Sequence, residues 1–147
     1  KQDEAFESVR KLFEEMYAYM REHGLMLDLT ADGAQKWIKS VQTGLGRFGG
    51  LFVCELNEEV IGFAHGSIRL TPDYLGSQKA GLITHVNVRP EYRGKGAGRA
   101  LVKALEKWFE EANTSTVELQ VLAANDTAIG FWEKLGYRRE LHQYRKI

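Results

Sequence analysis

The chain has 147 residues, of which 44% are hydrophobic and 27% charged, and this size and composition are typical of one globular domain with its own core. We therefore predict a single domain over residues 1–147. Twenty basic side chains balance twenty acidic ones, so no overall field attracts nucleic acid or an anionic membrane, and an anion site has to be built locally. The single cysteine, Cys54, excludes an internal disulfide and a multi-cysteine metal site, and it favours a reducing, cytoplasmic location.

The first half of the chain predicts two helices and a strand pair. Apolar residues recur at helical spacing over residues 4–22, which predicts an amphipathic helix, and a weaker helical pattern covers residues 31–41. Two β-rich runs, 51–56 and 60–70, are separated by three polar residues and predict an antiparallel hairpin. Residues 71–80 contain proline and glycine and predict a loop.

The second half predicts strands that alternate with helices. The predicted elements are a strand over 81–88, a helix with an apolar stripe from Leu101 to Ala112, a strand over 116–122, a short helix capped by Asn125 or Asp126 and ended by Gly136, and a poorly alternating strand from Tyr137 to Lys146. This order predicts an α/β fold in which helices cover both faces of a mixed sheet.

The segment from Val86 to Leu101 carries the clearest chemical signal. Glycines at 94, 96 and 98 let the backbone approach a ligand closely, and the segment then enters a helix. The first N–H groups of a helix lack internal partners and carry roughly half a positive charge. The pattern therefore predicts a cradle for a phosphate or pyrophosphate.

Two common phosphate-binding patterns do not fit this segment. A P-loop requires Gly-x-x-x-x-Gly-Lys followed by Ser or Thr, and no window of the segment has it. A dinucleotide fingerprint requires Gly-x-Gly-x-x-Gly/Ala, but its sixth position is Arg99 when the pattern starts at Gly94 and Leu101 when it starts at Gly96.

The segment does contain Arg93-x-x-Gly96-x-Gly98, preceded by a strand that ends in Val86-x-Val88. It resembles the signature Arg/Gln-x-x-Gly-x-Gly/Ala of the GNAT superfamily of N-acetyltransferases. A second stretch, from Asn125 to Tyr137, resembles the family's Asn, Ala and Phe-Tyr-x-Lys-x-Gly-Phe pattern. The likeness covers about residues 50–145. Because the family's usual first strand is not visible, we also expect a strand upstream of residue 1.

The resemblance implies a three-layer fold of this family that binds acetyl-CoA as cosubstrate. Pantetheine would lie between the strand ending at Val88 and the strand over 116–122, and backbone groups of Val86 and Val88 would contact it. The pyrophosphate would be held by Arg93, Gly94, Lys95, Gly96, Ala97, Gly98 and Arg99. Asn125 would touch pantetheine or the acceptor, although a plain helix cap explains this residue equally well.

The implied reaction is direct attack of a neutral amine on the acetyl thioester. An alkylamine with a pKa of about 10.4 costs roughly 4.6 kcal/mol to deprotonate at pH 7, so a base or a water relay is expected. His85 is the candidate base because of its residue type and its strand, although simple alternation places it opposite Val86 and Val88. A β-bulge would change that placement.

One residue departs from the family pattern. Trp132 stands where the family usually has a tyrosine that protonates the leaving thiol, and the indole N–H is not an acid of that kind. Water, Tyr137 or another tyrosine could take this role, or the thiolate could leave unaided.

The expected acceptor is a primary amine of a small molecule or a peptide. The resemblance places its pocket at the first two helices and the loop near residues 71–80. A non-catalytic acyl-CoA-binding or regulatory module is the alternative. No metal is expected, because the histidines lack ligand spacing.

Other partners follow from the same patterns. No nucleic acid is expected, because the basic cluster at residues 89–103 has no aromatic stacking platform. No membrane is expected, because nothing approaches the roughly 18 apolar residues of a span. A homodimer is an expectation from the resemblance alone.

Overall fold

A computed structural model gives the fold of residues 2–147. The chain forms α1 (Gln2–Glu22), α2 (Gly33–Gly44), β1 (Gly49–Leu56), β2 (Glu59–Leu70), β3 (Lys79–Val88), α3 (Ala97–Glu111), β4 (Thr116–Leu119) and α4 (Asp126–Lys134). Apart from a final strand, this is the predicted order of elements.

The strands form one mixed sheet in the order β1-β2-β3-β4. The first three strands are antiparallel neighbours, and β4 runs parallel to β3. The hairpin between β1 and β2 turns at Asn57 and Glu58, whose φ angles of 52° and 65° fit a two-residue turn with the twist that a hairpin needs. The predicted hairpin and mixed sheet are confirmed.

Each face of the sheet carries its own hydrophobic core. The α1–α2 core packs the first two helices on one face and is formed by the buried residues Val9, Leu12, Phe13, Met16, Ala34, Val60 and Phe63. The α3–α4 core covers the other face and is formed by Ala64, Ile83, Val88, Leu101, Val102, Leu105 and Phe109, with side chains of α4 packed around them. The expected helix layers on both faces are thus confirmed.

Glycines on the sheet allow α3 to lie unusually close to it. A Cβ atom at Gly81 would stand 2.7 Å from the Phe109 ring, and one at Gly66 would stand 2.8 Å from the same ring. A Cβ atom at Gly50 would meet Trp108 at 3.0 Å. Because aromatic rings of α3 fill the space of the missing side chains, the glycines fix the height of α3 above the sheet.

The largest differences from the predicted elements lie in three segments. The second helix is displaced toward the C-terminus relative to the predicted 31–41, and β4 ends at Leu119 rather than at residue 122. Residues 138–147 form no strand, and their apolar side chains Leu141 and Tyr144 are 85% and 91% exposed. This tail is mostly charged or polar, so it has no apolar face that pairing with the sheet would bury.

Within residues 2–147, no helix has the combination of length and hydropathy that crossing a membrane requires.

Gly81→Ala tests the close approach of α3. The new methyl group would displace the fully packed Phe109 ring, so we expect the free energy of unfolding to fall by about 1–3 kcal/mol. Gly44→Ala is the matched control, since a Cβ atom there meets nothing within 4 Å. Urea denaturation measures both variants, and equal midpoints for Gly81→Ala and the wild type would contradict the packing argument.

Candidate functional site

The sheet opens halfway along β3. Residues Ala80–Ile83 pair with Thr116–Leu119 of β4, but the second half of β3 pairs with β2 alone. The N–H of Arg89 donates to the carbonyl oxygen of Ile61 in β2 at 2.8 Å. Because successive residues of a strand alternate in the direction of their backbone groups, the groups of Val86 and Val88 point away from β2, into the opening.

A β-bulge lies where the opening begins. His65 of β2 pairs with His85, whereas Gly66 pairs with Ile83, so Thr84 is an extra residue in β3. The bulge shifts the alternation of the strand by one residue. Val86 therefore packs in the α3–α4 core together with Ile83, while His85 faces the other layer.

This geometry corrects the expected faces of β3. Simple alternation along a regular strand would place Thr84 on the face of Val86 and Val88, opposite His85. Instead, Thr84 lies on the same side as His85, because its hydroxyl contacts the ring of His65, which lies edge-on to Trp37 of α2.

His85 lies beneath aromatic side chains of the first two helices. The ring centroids of His85 and Phe13 are 5.0 Å apart, and those of His85 and Trp37 are 5.4 Å apart. Nδ1 of His85 is buried, and no described residue hydrogen-bonds to it. Burial and the neighbouring His65 lower the pKa of His85 to about 4, so the ring is neutral at pH 7.

The predicted phosphate cradle, residues 93–99, lies between the end of β3 and the first turn of α3. Gly94 and Gly96 have φ angles of 78° and 92°, which glycine adopts without strain, and a Cβ atom at either would enter open space. Among residues 2–147, no protein acceptor binds the amides of residues 94–99. These amides are therefore available to an anion at the start of α3.

Arg93 is held by protein contacts. Its Nε donates to the carbonyl oxygen of Val88 at 2.7 Å, and its Nη2 donates to Oδ1 of Asn87 at 3.1 Å. Its own amide donates to the carbonyl oxygen of Pro90. The first residue of the signature thus ties the cradle to the end of β3 and leaves the later amides exposed.

Some members of the basic cluster at residues 89–103 form ion pairs with carboxylates, and others do not. Arg89 binds Glu59 at 2.9 Å, and Lys103 lies 3.6 Å from Glu106. In the described part of the chain, no carboxylate lies within 4.0 Å of the charged groups of Lys95 or Arg99. Arg93 has no carboxylate partner either, but its guanidinium is used in hydrogen bonds to Val88 and Asn87, so Lys95 and Arg99 are the members of the cluster whose charged groups have no described protein partner.

Helix α4 packs against the cradle through aromatic contacts. Oδ1 of Asn125 accepts a hydrogen bond from the amide of Ala128 at 3.1 Å, so the predicted helix cap is confirmed. Phe131 lies 3.4 Å from the position that a Cβ atom of Gly98 would take. Gly98 thus serves helix packing, whereas Gly94 and Gly96 border open space.

Trp132 and Tyr137 form an edge-to-face pair with ring centroids 5.3 Å apart. The hydroxyl of Tyr137 donates to Oε2 of Glu106 at 2.7 Å. Burial, together with this carboxylate, raises the pKa of Tyr137 above its ordinary value. A phenol in this environment is a poorer proton donor than an exposed one.

A cavity of about 290 Å³ lies between α1 and the end of β3. It is lined by Glu15, Met16, Ala18, Tyr19, Glu22, Asn87, Pro90 and Arg93. The loop over residues 71–78 is not part of it, since it joins Leu70 to Lys79 at the far end of β3, about 30 Å from Val88. Residues 2–147 contain no group of three or more acidic, histidine or cysteine side chains that would hold a metal ion.

Comparison with known proteins gives a family match. The model of the acetyltransferase (GNAT) family matches residues 6–137. An acetyltransferase of Pectobacterium atrosepticum is 34% identical over 85 residues, which are 58% of this chain and 55% of that protein. An uncharacterized N-acetyltransferase of Methanocaldococcus jannaschii is 30% identical over 91 residues, which are 62% of this chain and 40% of that protein. The matches thus span about half the length of these relatives.

A solved structure shows the same fold over nearly the whole chain. An aminoglycoside N-acetyltransferase in complex with CoA superposes with a TM-score of 0.77. The match covers 98% of this chain and 90% of the other, at 18% sequence identity, and it shows a shared fold.

The two buried histidines predict a specific pH dependence of stability. Burial lowers the pKa of both His65 and His85 from 6.5 to about 4, so the unfolded chain binds more protons than the folded one between these values. The free energy of unfolding should therefore fall as the pH drops below 6.5, by about 2 kcal/mol per histidine at pH 5.

Urea denaturation of the wild type and of His65→Asn/His85→Gln at pH 7 and pH 5 measures this effect. The double variant should lose less stability between the two pH values than the wild type. His142→Gln, in the exposed tail, is the control and should behave as the wild type. An equal loss in all three proteins would refute the assignment.

Proposed function

The chain belongs to the acetyltransferase (GNAT) family, and on that premise we propose that it transfers the acetyl group of acetyl-CoA to a primary amine of a small molecule or a peptide. One observation carries the proposal. The backbone groups of Val86 and Val88 point away from β2 into the opening of the sheet, and the unengaged amides of the cradle follow them in the chain. An amide-bearing chain joined to a diphosphate, as in coenzyme A, is complementary to both parts at once.

The strand edge at Val86 and Val88 is complementary to the pantetheine part of the coenzyme, and the cradle is complementary to its pyrophosphate. Pantetheine contains amide groups that would pair with Val86 and Val88 as an added strand does. The pyrophosphate would meet the amides of residues 94–99, the positive end of α3, and the side chains of Lys95 and Arg99. The carbonyl of Val88 already accepts from Arg93, so its N–H is the group left for the ligand.

The acetyl carbonyl would lie near the bulge, where the strand edge begins. The amine nitrogen attacks the thioester carbon, a C–N bond forms, and the carbonyl oxygen becomes an oxyanion. The N–H of Val86, fixed before the reaction begins, is the donor we assign to that oxyanion. The C–S bond then breaks and releases coenzyme A as a thiolate.

The attacking nitrogen must lose a proton, and we assign its removal to His85. The neutral ring has a buried Nδ1 with no partner among the described residues, so a substrate or a bridging water would complete its hydrogen bonding. The lowered pKa makes His85 a weak base. The ammonium group of the tetrahedral adduct is more acidic than a free alkylammonium, so a weak base is better matched to removing its proton.

The released thiolate has to gain a proton from another donor. The hydroxyl of Tyr137 is committed to Glu106, and its raised pKa disfavours it as an acid. Trp132 offers only an indole N–H. We therefore assign this proton to water.

The acceptor is expected on the α1 side of the opening, in the cavity beside Asn87. Glu15 and Glu22 line this cavity, and no described cation lies within 4.0 Å of either carboxylate. Negative charge there would draw ammonium groups toward the thioester. An amine that carries a second positive charge should therefore react better than one that carries a carboxylate.

Gly96→Glu tests the cradle. A carboxylate at this position would occupy the proposed phosphate site, so we expect calorimetry to detect no binding of coenzyme A. Gly46→Glu is the matched control, because Gly46 also has a positive φ, of 79°, and open space around it, but lies at the opposite end of the sheet. The left-handed φ costs each variant about 1–2 kcal/mol of stability, so both should stay folded. Unchanged affinity in Gly96→Glu would contradict the proposed cradle.

Thiol release from acetyl-CoA tests the reaction. The wild type should release free thiol only when an amine from a broad panel is added, and mass spectrometry should find the acetylated amine. His85→Gln should lower kcat/KM by about 100-fold, the size of effect expected for a general base, whereas His142→Gln should not change it.

The outcomes separate the alternatives. Tight binding of coenzyme A without turnover on any amine would support the binding module instead. Turnover that is equal in His85→Gln and the wild type would remove His85 from the mechanism but leave acetyl transfer in place.

A further inference from the structure

His65 and Thr84 are joined by two hydrogen bonds across the β2–β3 pair. Nδ1 of His65 lies 2.6 Å from Oγ1 of Thr84, and Oγ1 of Thr84 lies 3.0 Å from the carbonyl oxygen of His65. A hydroxyl has one proton to donate. Both contacts are satisfied together when Thr84 donates to the carbonyl and Nδ1–H of His65 donates to the hydroxyl oxygen.

These bonds hold the one residue of β3 that has no partner in the register. Thr84 is the extra residue of the bulge, so the ordinary ladder does not fix its position. The side chain of His65 substitutes for the missing ladder contact. Because His65 is only 9% exposed and its ring lies edge-on to Trp37, the ring has little freedom to follow Thr84 elsewhere.

The position of the bulge coincides with the opening of the sheet. Ile83 is the last residue of β3 that pairs with β4, and Thr84 is the next residue. A bulge bends its strand and increases the local twist, so it carries β3 away from β4 at this point. It also sets which residues beyond it direct their backbone groups into the opening.

We propose that His65 is a positioning residue, which through its hydrogen bonds to Thr84 fixes the bulge and so places the Val86 N–H against the acetyl carbonyl. The inference rests on the proposed acetyl transfer and adds a role for a residue that does not touch the substrate. We call the two hydrogen bonds between His65 and Thr84 the clasp. The cradle lies beyond it in the chain, at residues 93–99. Loss of the His65–Thr84 hydrogen bonds should therefore affect the chemical step more than coenzyme binding.

Two substitutions weaken these contacts: Thr84→Val removes both hydrogen bonds, whereas His65→Phe removes only the one from Nδ1–H, because the backbone carbonyl of residue 65 remains. Thr84→Val deletes the hydroxyl, and His65→Phe keeps a flat ring under Trp37 but removes Nδ1–H. Each should lower kcat by about 10- to 100-fold, since small misplacements of reacting groups have effects of this size. The dissociation constant of coenzyme A should stay within about threefold of the wild-type value, because the cradle is intact.

Further variants separate positioning from simple loss of stability. Thr84→Ser keeps the hydroxyl and should restore kcat. The double variant His65→Phe/Thr84→Val should be no slower than the slower single variant, because both changes break the same contact. Thr114→Val is the matched control, since it also deletes a hydroxyl that donates to a backbone carbonyl, at the end of α3, and it should keep the wild-type kcat.

Amide hydrogen exchange gives a readout that does not need turnover. In Thr84→Val and His65→Phe, the amides of residues 83–86 should exchange faster than in the wild type, while those of α3 should not change. If Thr84→Val does not fold, His65→Phe and Thr84→Ser supply the same comparison.

Distinct results overturn the two proposals. Unchanged exchange at residues 83–86, or a kcat that falls only in proportion to coenzyme affinity, would overturn the role of His65. Absence of amine-dependent thiol release in the wild type would overturn the acetyl transfer, and the exchange experiment would still decide whether the clasp holds the bulge.

Discussion

One extra residue in β3 determines how the rest of the site is arranged. Thr84 interrupts the register with β2, and the pairing with β4 ends at the residue before it. A regular strand would have paired with β4 over a longer stretch and would have left no edge for a ligand. The same bulge reverses the faces of the strand, so that Val86 supports the α3–α4 core while His85 faces the first two helices. The opening between β3 and β4 and the orientation of Val86 and His85 therefore both result from the bulge at Thr84.

The second constraint is the close contact between α3 and the sheet. Glycines at 66 and 81 leave room for Phe109, which is 1% exposed, and this contact fixes the axis of α3. The N-terminus of α3 then lies at the end of β3, where the strand edge becomes open. Arg93 completes the connection through the carbonyl of Val88 and the side chain of Asn87. A cradle of amides needs such external support because its own turns are glycines with no side chains to pack.

Burial gives the histidines of the site properties that differ from those of free imidazole. His65 and His85 are opposite each other on neighbouring strands, and both stay neutral well below their ordinary pKa. In the proposed mechanism they serve different purposes. His85 has an unpartnered Nδ1 suited to receive a proton, whereas Nδ1 of His65 is used to hold Thr84. A neutral His65 maintains its hydrogen bond without placing a charge beside the base.

Much of the fold was predictable because the signals are local. Apolar spacing gave α1 and α3, the Asn-Glu-Glu connection gave the hairpin, and the glycines at 94 and 96 indicated a backbone that approaches a ligand. The tail after Tyr137 was predicted wrongly as a strand, since its polar sequence offers no face to bury. The loop over residues 71–78 lies at the end of β3 opposite Val88, because strand length and direction decide where a loop ends, and its contact with the acceptor stays a prediction.

The sequence by itself determined the family and the order of the elements up to α4, and it predicted the cradle, all of which depend on residues that are neighbours in the chain. Only the tertiary structure decided the bulge at Thr84, the partners of His65 and Arg93, and the side of the sheet on which His85 lies. These features arise from contacts between β2, β3 and the helices. A register between strands is set by the total packing of both faces, which no local pattern encodes.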